Sequence, residues 1–192
     1  TLPQLSGSDM ALSLGQQTFL QLLTQKRVVS QSEALEYLAG IEKIDGARGL
    51  ERGLEHVVEQ INKRLKCMDL EIRGYHINQT ERVFALINLV SDDVAKAEGS
   101  TLGPAETAVF KAVLAALAEA EDYRAPVGDL DGLKGKLSGA KFEALIEDLV
   151  NQNWLAVDAN DLLTFGPRSY LELADMLRQA EVDVPQHIIL QA

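Results

Sequence analysis

The 192 residues predict a mainly α-helical chain with small β-hairpins, in which one succession of elements occurs twice. Three observations predict it. Apolar spacing follows a helical period of 3.6 and switches to an alternating period of 2 in two places, near residues 69 and 154. A polar stretch with two glycines, SDDVAKAEGSTLG (91–103), separates the two series. The length suits one ordinary domain or two small ones of roughly 90 residues.

The first helix is expected over 12–26, where Leu12, Phe19, Leu22, Leu23 and Lys26 keep the helical period and Leu14 and Leu20 widen the apolar face. Arg27, Val28 and Val29 read as a short break. Ser30 stands three residues before Glu33, the spacing of a capping box, and opens a second helix over 31–41 with Ala34, Leu35, Leu38 and Ile41 on one side. IDGARG (44–49) is a turn. From Arg48 to about Lys66, Leu50, Leu54, Val57, Val58, Ile61 and Leu65 trace one continuous stripe. DLEIR (69–73) then alternates as a half-buried strand does, GYHINQTE is polar, and RVFALINLV (82–90) is a second strand with apolar residues on both faces. Three helices followed by a hairpin is the order of a winged-helix domain.

After the linker the order repeats. Pro104 suits a first helical turn, and 105–121 continues with Phe110, Val113, Leu114 and Leu117 as its stripe. A short helix is expected around 127–136. Ser138 caps a helix over 139–153, with Phe142, Leu145, Ile146, Leu149 and Val150 inward. WLAVD (154–158) and LLTF (162–165) form a hairpin. GPRS (166–169) turns into a last helix over 170–181, and the tail VDVPQHIILQA ends on an apolar patch with nothing obvious to pack against. The expected architecture is two tandem winged-helix domains, 1–98 and 99–192, with Trp154, Phe165 and Tyr170 buried where the second wing meets its helices and Arg168 donating to nearby carbonyls.

Charge restricts the function. The formal net charge is −11, of which residues 1–98 carry −3 and 99–192 carry −8. Sequence-independent DNA binding relies on Lys and Arg replacing counterions along phosphates, so the second half is a poor DNA-wrapping surface. In the first half Arg48, Arg52, Lys63, Arg64 and Lys66 lie on the third helix, where winged helices read the major groove, but Glu51, Glu55 and Glu59 interleave with them. Lys141 on the equivalent second helix faces Glu143, Glu147 and Asp148. Both helices suit protein contact better than phosphate contact.

Catalytic motifs are missing. Gly46, Gly49 and Gly53 follow no strand and precede no GK[ST], and GLKGKLSG (132–139) resembles a phosphate loop only in composition. His56, His76 and His187 share no metal-ligand spacing; His56 reads as a half-buried helix residue and Cys67 as a small packing residue. One cysteine rules out an intramolecular disulfide. The sequon at Asn78 is read as chance, because the opening TLPQLSGSDMALSL has neither the basic start nor the apolar core of a secretion signal. No apolar run approaches the roughly 18 to 20 residues of a membrane helix.

Six blocks in order carry a family resemblance: FLQLL (19–23), INKRLKCMDLEIR (61–73), VFALINLVSD (83–92), ETAVFKAVL (106–114), LVNQNWL (149–155) and FGPRSYLEL (165–173). The last is the most specific, since a wing strand runs through Gly-Pro-Arg into a helix. With these blocks the chain resembles the first non-SMC element of the eukaryotic SMC five/six chromosome-maintenance complex. The resemblance implies two winged helices, pairing with a MAGE-fold subunit and through it with a kleisin, DNA contact mainly through the complex, a nuclear location, and roles in DNA repair and recombination. It also implies a RING-like zinc domain supporting ubiquitin-ligase activity. The sequence reaches Ala192 about where that domain is expected to begin, so either the chain is truncated there or this member lacks the domain; zinc is expected only in that domain, and no cofactor or ligase residue within 1–192. A DNA-binding transcription regulator would need a more basic recognition helix, and a bacterial kleisin-binding condensin subunit matches the six blocks less well.

The resemblance leaves the partner's docking place open. Leu20 lies beside the Phe19–Leu22–Leu23 stripe, and the 82–90 strand alternates Val83, Ala85 and Ile87 with Phe84 and Leu86. Either the chain covers both faces of that strand itself, with its second domain or its tail, or Leu20, Phe84 and Leu86 border a hydrophobic patch covered by the MAGE-fold partner.

Overall fold

The computed structural model describes residues 12–45, 53–77, 80–89 and 102–188. The chain is mainly α-helical with two small antiparallel sheets and folds as tandem winged helices. The expected boundary between residues 98 and 99 lies outside the described residues, as do most of the turn at 44–49 and of the linker at 91–103.

Helix α1 (Leu14–Lys26) starts two residues later than its apolar spacing predicts because Ser13 caps it. The Ser13 hydroxyl accepts from the Gln16 N–H at 3.2 Å, and the Gln16 side-chain oxygen accepts from the Ser13 N–H at 3.0 Å. The expected break after it is strand β1 (Val28–Ser30), two β-branched residues that pair with a wing strand. Ser30 also accepts from the Glu33 N–H at 3.2 Å and so starts α2 (Gln31–Asp45), which runs beyond residue 41. In α3 (Gly53–Leu65), Leu54, Val57, Val58, Ile61 and Leu65 are all buried, the stripe its sequence shows.

A single 3₁₀ turn, Lys66–Met68, leads into the first wing: β2 (Leu70–His76) and β3 (Arg82–Asn88). The first strand is longer than 69–73 because Gly74, Tyr75 and His76 continue it. Gly74 is needed there, since a Cβ would stand 2.7 Å from the Val83 carbonyl oxygen and 2.8 Å from the Phe84 ring. Asn62 fastens α3 to this wing. Its amide donates to the Ile72 carbonyl at 3.0 Å and accepts from the Ile72 N–H at 2.7 Å, so the buried side chain is paired on both ends.

The second unit opens with α4 (Pro104–Glu119), where Glu106 accepts from the Gly103 N–H at 2.7 Å. A two-residue strand follows that the sequence does not announce, β4 (Arg124–Ala125), and Val127–Leu133 is 3₁₀ rather than α-helical. Ser138 caps α5 (Gly139–Asn151), with a 3.4 Å bond from the Lys141 N–H. The second wing is β5 (Leu155–Val157) and β6 (Leu163–Phe165). The single expected helix over 170–181 is two short ones, α6 (Pro167–Glu172) and α7 (Ala174–Gln179), because Leu173 leaves helical geometry at φ −107°, ψ 19°.

The tail also differs from expectation. His187–Ile188 is a strand, β7, whose backbone pairs with Gly74 and Tyr75 of β2, far back in the chain. The first sheet therefore has the order β1-β3-β2-β7 and the second β4-β6-β5. Each unit has its own core. Phe19, Leu23, Val58, Ile61, Ile72 and Phe84 anchor the first; Phe110, Phe142, Leu149, Trp154, Leu163 and Phe165 anchor the second.

Candidate functional site

Register decides what each face of the first wing does. Ile72 stands opposite Leu86, and Gly74 opposite Phe84, so Leu70, Ile72, Phe84 and Leu86 share one face. That face lies on α1, α2 and α3. Phe84 is fully buried in the first core, while Leu20 and Leu86 are half-buried at its margin, beside Leu12 and Leu70. This corrects the expectation that Phe84 borders an exposed patch: it is the wing's central anchor on its own helices. The opposite face, Tyr75, Val83, Ala85 and Ile87, is the one that would be left bare in an isolated winged helix. Here it packs against Leu171 and Tyr170 of α6. The chain's second half, joined at the edge by β7, covers the second face itself.

Three rings in series connect the units. Tyr170 meets Tyr75 edge-on at 5.9 Å between centroids and Phe165 at 5.8 Å. Burial pushes the Tyr75 phenol above its ordinary value, and the neighbouring Tyr170 adds to this. Burial likewise raises Tyr170. Both phenols stay neutral throughout the physiological range, so no charge enters this contact.

The FGPRS block holds α6 in place. The Gly166 N–H donates to the Trp154 carbonyl at 2.9 Å, and the Ser169 hydroxyl donates to the same oxygen at 2.6 Å. The Arg168 N–H donates to the Asn153 carbonyl at 3.0 Å. Gly166 is obligatory, since a Cβ would fall 2.3 Å from the Asn153 carbonyl oxygen. Trp154 and Phe165 are buried and Tyr170 half-buried, as the clustering of aromatics suggests. Arg168 thus donates to a nearby carbonyl through its backbone N–H; its guanidinium instead lies 4.0 Å over the Trp154 ring and pairs with Glu172 at 2.5 Å.

Arg82 was not singled out by its sequence context, yet it ties the wing to two helices. It pairs with Glu55 of α3 at 2.5 Å and donates to the Gln31 side chain of α2 at 2.5 Å. A backbone N–H, then the Arg82 guanidinium, hold the Glu55 carboxyl below the usual range. Only the spacing between strand and helix in three dimensions reveals this residue.

Of the basic residues expected on the third helix, Lys63 pairs with Glu59 at 2.8 Å, Arg64 and Lys66 are exposed, and Arg48 and Arg52 lie outside the described residues. Lys141, Glu143, Glu147 and Asp148 are all exposed on α5, so that surface is net acidic. His56 is half-buried near Glu59, at 3.8 Å. Cys67 is exposed rather than packed, its thiol 3.2 Å from the Arg64 carbonyl, because it falls on the outer side of the 3₁₀ turn. Among the described residues no group of three or more His, Cys, Asp or Glu is arranged to hold a metal, and no helix is long and apolar enough to cross a membrane.

These features define a class: a tandem winged-helix protein whose first wing is clasped by its second unit and whose recognition helices carry mixed or acidic charge. The family model for the Nse1 non-SMC component of the SMC5-6 complex matches residues 16–132, more than half of the chain, and the chain belongs to that family. A solved structure described as the Nse1-Nse3-Nse4 complex shares the fold, with a TM-score of 0.76 and 20% identity over 89% of this chain and 76% of that one. No curated protein sequence matches.

Proposed function

We propose that the chain is a non-catalytic winged-helix scaffold of the SMC5-6 complex. It pairs with a MAGE-fold subunit and, through it, with the kleisin, and it serves DNA repair and recombination in the nucleus. The family match over residues 16–132 carries this reading. The structural likeness to a chain solved in the Nse1-Nse3-Nse4 complex supports it through the fold. Charge agrees: at −11, with Lys63 neutralised by Glu59, the chain is suited to meet DNA through basic partners rather than directly. Zinc and ubiquitin-ligase chemistry belong to the RING-like domain of full-length family members and are assigned to no residue among 1–192.

Co-expression of the tagged chain with the MAGE-fold and kleisin subunits tests this. Both should be retained on the tagged chain at physiological salt. Duplex DNA should shift the chain alone only above micromolar concentrations, and more tightly once the partners are bound. Sub-micromolar DNA binding by the chain alone would favour a regulator instead.

A further inference from the structure

The tail between the second core and β7 is built as a strap. Its root belongs to the second unit. Val182 is buried in that core, and its N–H donates to the Leu177 carbonyl at 2.9 Å. The Tyr123 hydroxyl accepts from the Asp183 N–H at 3.1 Å and donates to the Glu181 carbonyl at 3.4 Å, so one side chain holds the backbone on both sides of Val182. The tip belongs to the first unit, where His187 stands opposite Tyr75 and Ile188 opposite Gly74 on the edge of β2. Between root and tip, Asp183 and Gln186 are exposed and Val184 and Pro185 half-buried. Little apolar area is buried along this span, and segments of that kind open at the low end of a fold's local stabilities. Pro185 limits the span's freedom: it fixes its own φ and biases Val184 toward extended backbone.

The edge itself decides where the tip lands. Asn62 holds both the N–H and the C=O of Ile72, so Ile72 turns its backbone groups away from β3. By the alternation of an antiparallel ladder, Gly74 turns its groups outward as well. A strand running on past Gly74 would need the Ile72 groups, which the Asn62 amide already occupies. Asn62 thus ends the edge open to β7, and the strap closes the next outward position. Tyr75 links that edge to the clasp: its backbone lies opposite His187, while its ring meets Tyr170 of α6 at 5.9 Å. We propose that residues 182–188 are a releasable strap that locks the second unit onto the first wing. Asn62 sets where the strap lands, and its release bares Gly74 and frees α6 to lift from the wing face.

The test reads the edge and the spacing of the units separately. Ile188→Pro removes the backbone N–H opposite Gly74. Hydrogen exchange followed by NMR should show the Gly74 amide exchanging at least about tenfold faster than in the wild type, with the Ile72 amide, bonded to Asn62, unchanged. Tyr123→Phe loosens the root instead of the tip and should also speed exchange at Gly74, to a smaller extent. Spin labels on the native Cys67 and on Lys141→Cys, both exposed and one on each unit, should give one narrow distance distribution with the wild-type tail and an added longer distance with Ile188→Pro. Wild-type exchange at Gly74 in either variant overturns the strap. So does equal acceleration at Ile72, which would mean that the whole unit has lost stability rather than that one edge has opened. Faster exchange at Gly74 with an unchanged distance distribution overturns the lock, since α6 alone would then hold the units together.

Discussion

Phe84 shows how one residue's role turns on its face. Its alternation with Val83 and Ala85 was visible in the sequence, and so was the excess of apolar side chains on that strand. Which face looked inward was not, because a period of two marks both faces equally when both are apolar. The register across to Gly74 and Ile72 resolves it and makes Phe84 a core residue. Phe84→Ala should therefore lower stability by about 3 to 5 kcal/mol in urea denaturation, as should Phe165→Ala in the second core. A loss below about 1 kcal/mol at either position would place it on the surface. Gly74→Ala should destabilise as well, by forcing a methyl group against the Val83 carbonyl oxygen and the Phe84 ring. Trp154, Phe165 and Tyr170 were legible as a cluster, since aromatics are only 5% of the chain and three fall within a short stretch. The stacking of Arg168 on Trp154 was not, because it depends on a turn that folds Asn153 back onto the start of α6.

Among elements, the long helices and the two hairpins were legible, and the short strands that join a sheet from elsewhere in the chain were not. The stripe of α3 and the caps at Ser30 and Ser138 follow from local spacing. Strands β1, β4 and β7, of two or three residues, exist only because distant strands offer them an edge, and no local period marks them. The clasp between the units, α6, was read in part as a turn (166–169) and in part as the start of one longer helix (170–181). Leu171→Asp would bury a charge against Val83, Ala85 and Ile87. Differential scanning calorimetry should then resolve two transitions where the wild type shows one; a single unshifted transition would show that the units do not depend on this contact. The β5–β6 turn gives a pH-dependent prediction. The Leu162 and Asn160 N–H groups donate to Asp158 at 3.0 and 2.8 Å and hold its carboxyl below the ordinary value of 3.8, with Arg124 assisting. A depressed folded-state value stabilises the fold above the unfolded value and is lost as pH falls through the folded one. Asp158→Asn should thus cost stability at pH 7 and show a shallower decline in melting temperature than the wild type below about pH 4. Parallel acid limbs for the two proteins would remove Asp158 from the account.

For the whole molecule, clasping the units closes the first wing. One face of the first wing lies on its own helices and the other under α6, so among the described residues both faces of that wing are covered by the chain itself. The central claim is that this molecule works as one subunit of a larger chromosomal assembly. Light scattering on the complex eluting from a sizing column, after co-expression with the MAGE-fold and kleisin subunits at physiological salt, measures that claim most directly. The account predicts one peak whose mass equals one copy of each of the three chains. Elution of this chain by itself, at the 21.0 kDa of the monomer, with the other two paired without it, would contradict it.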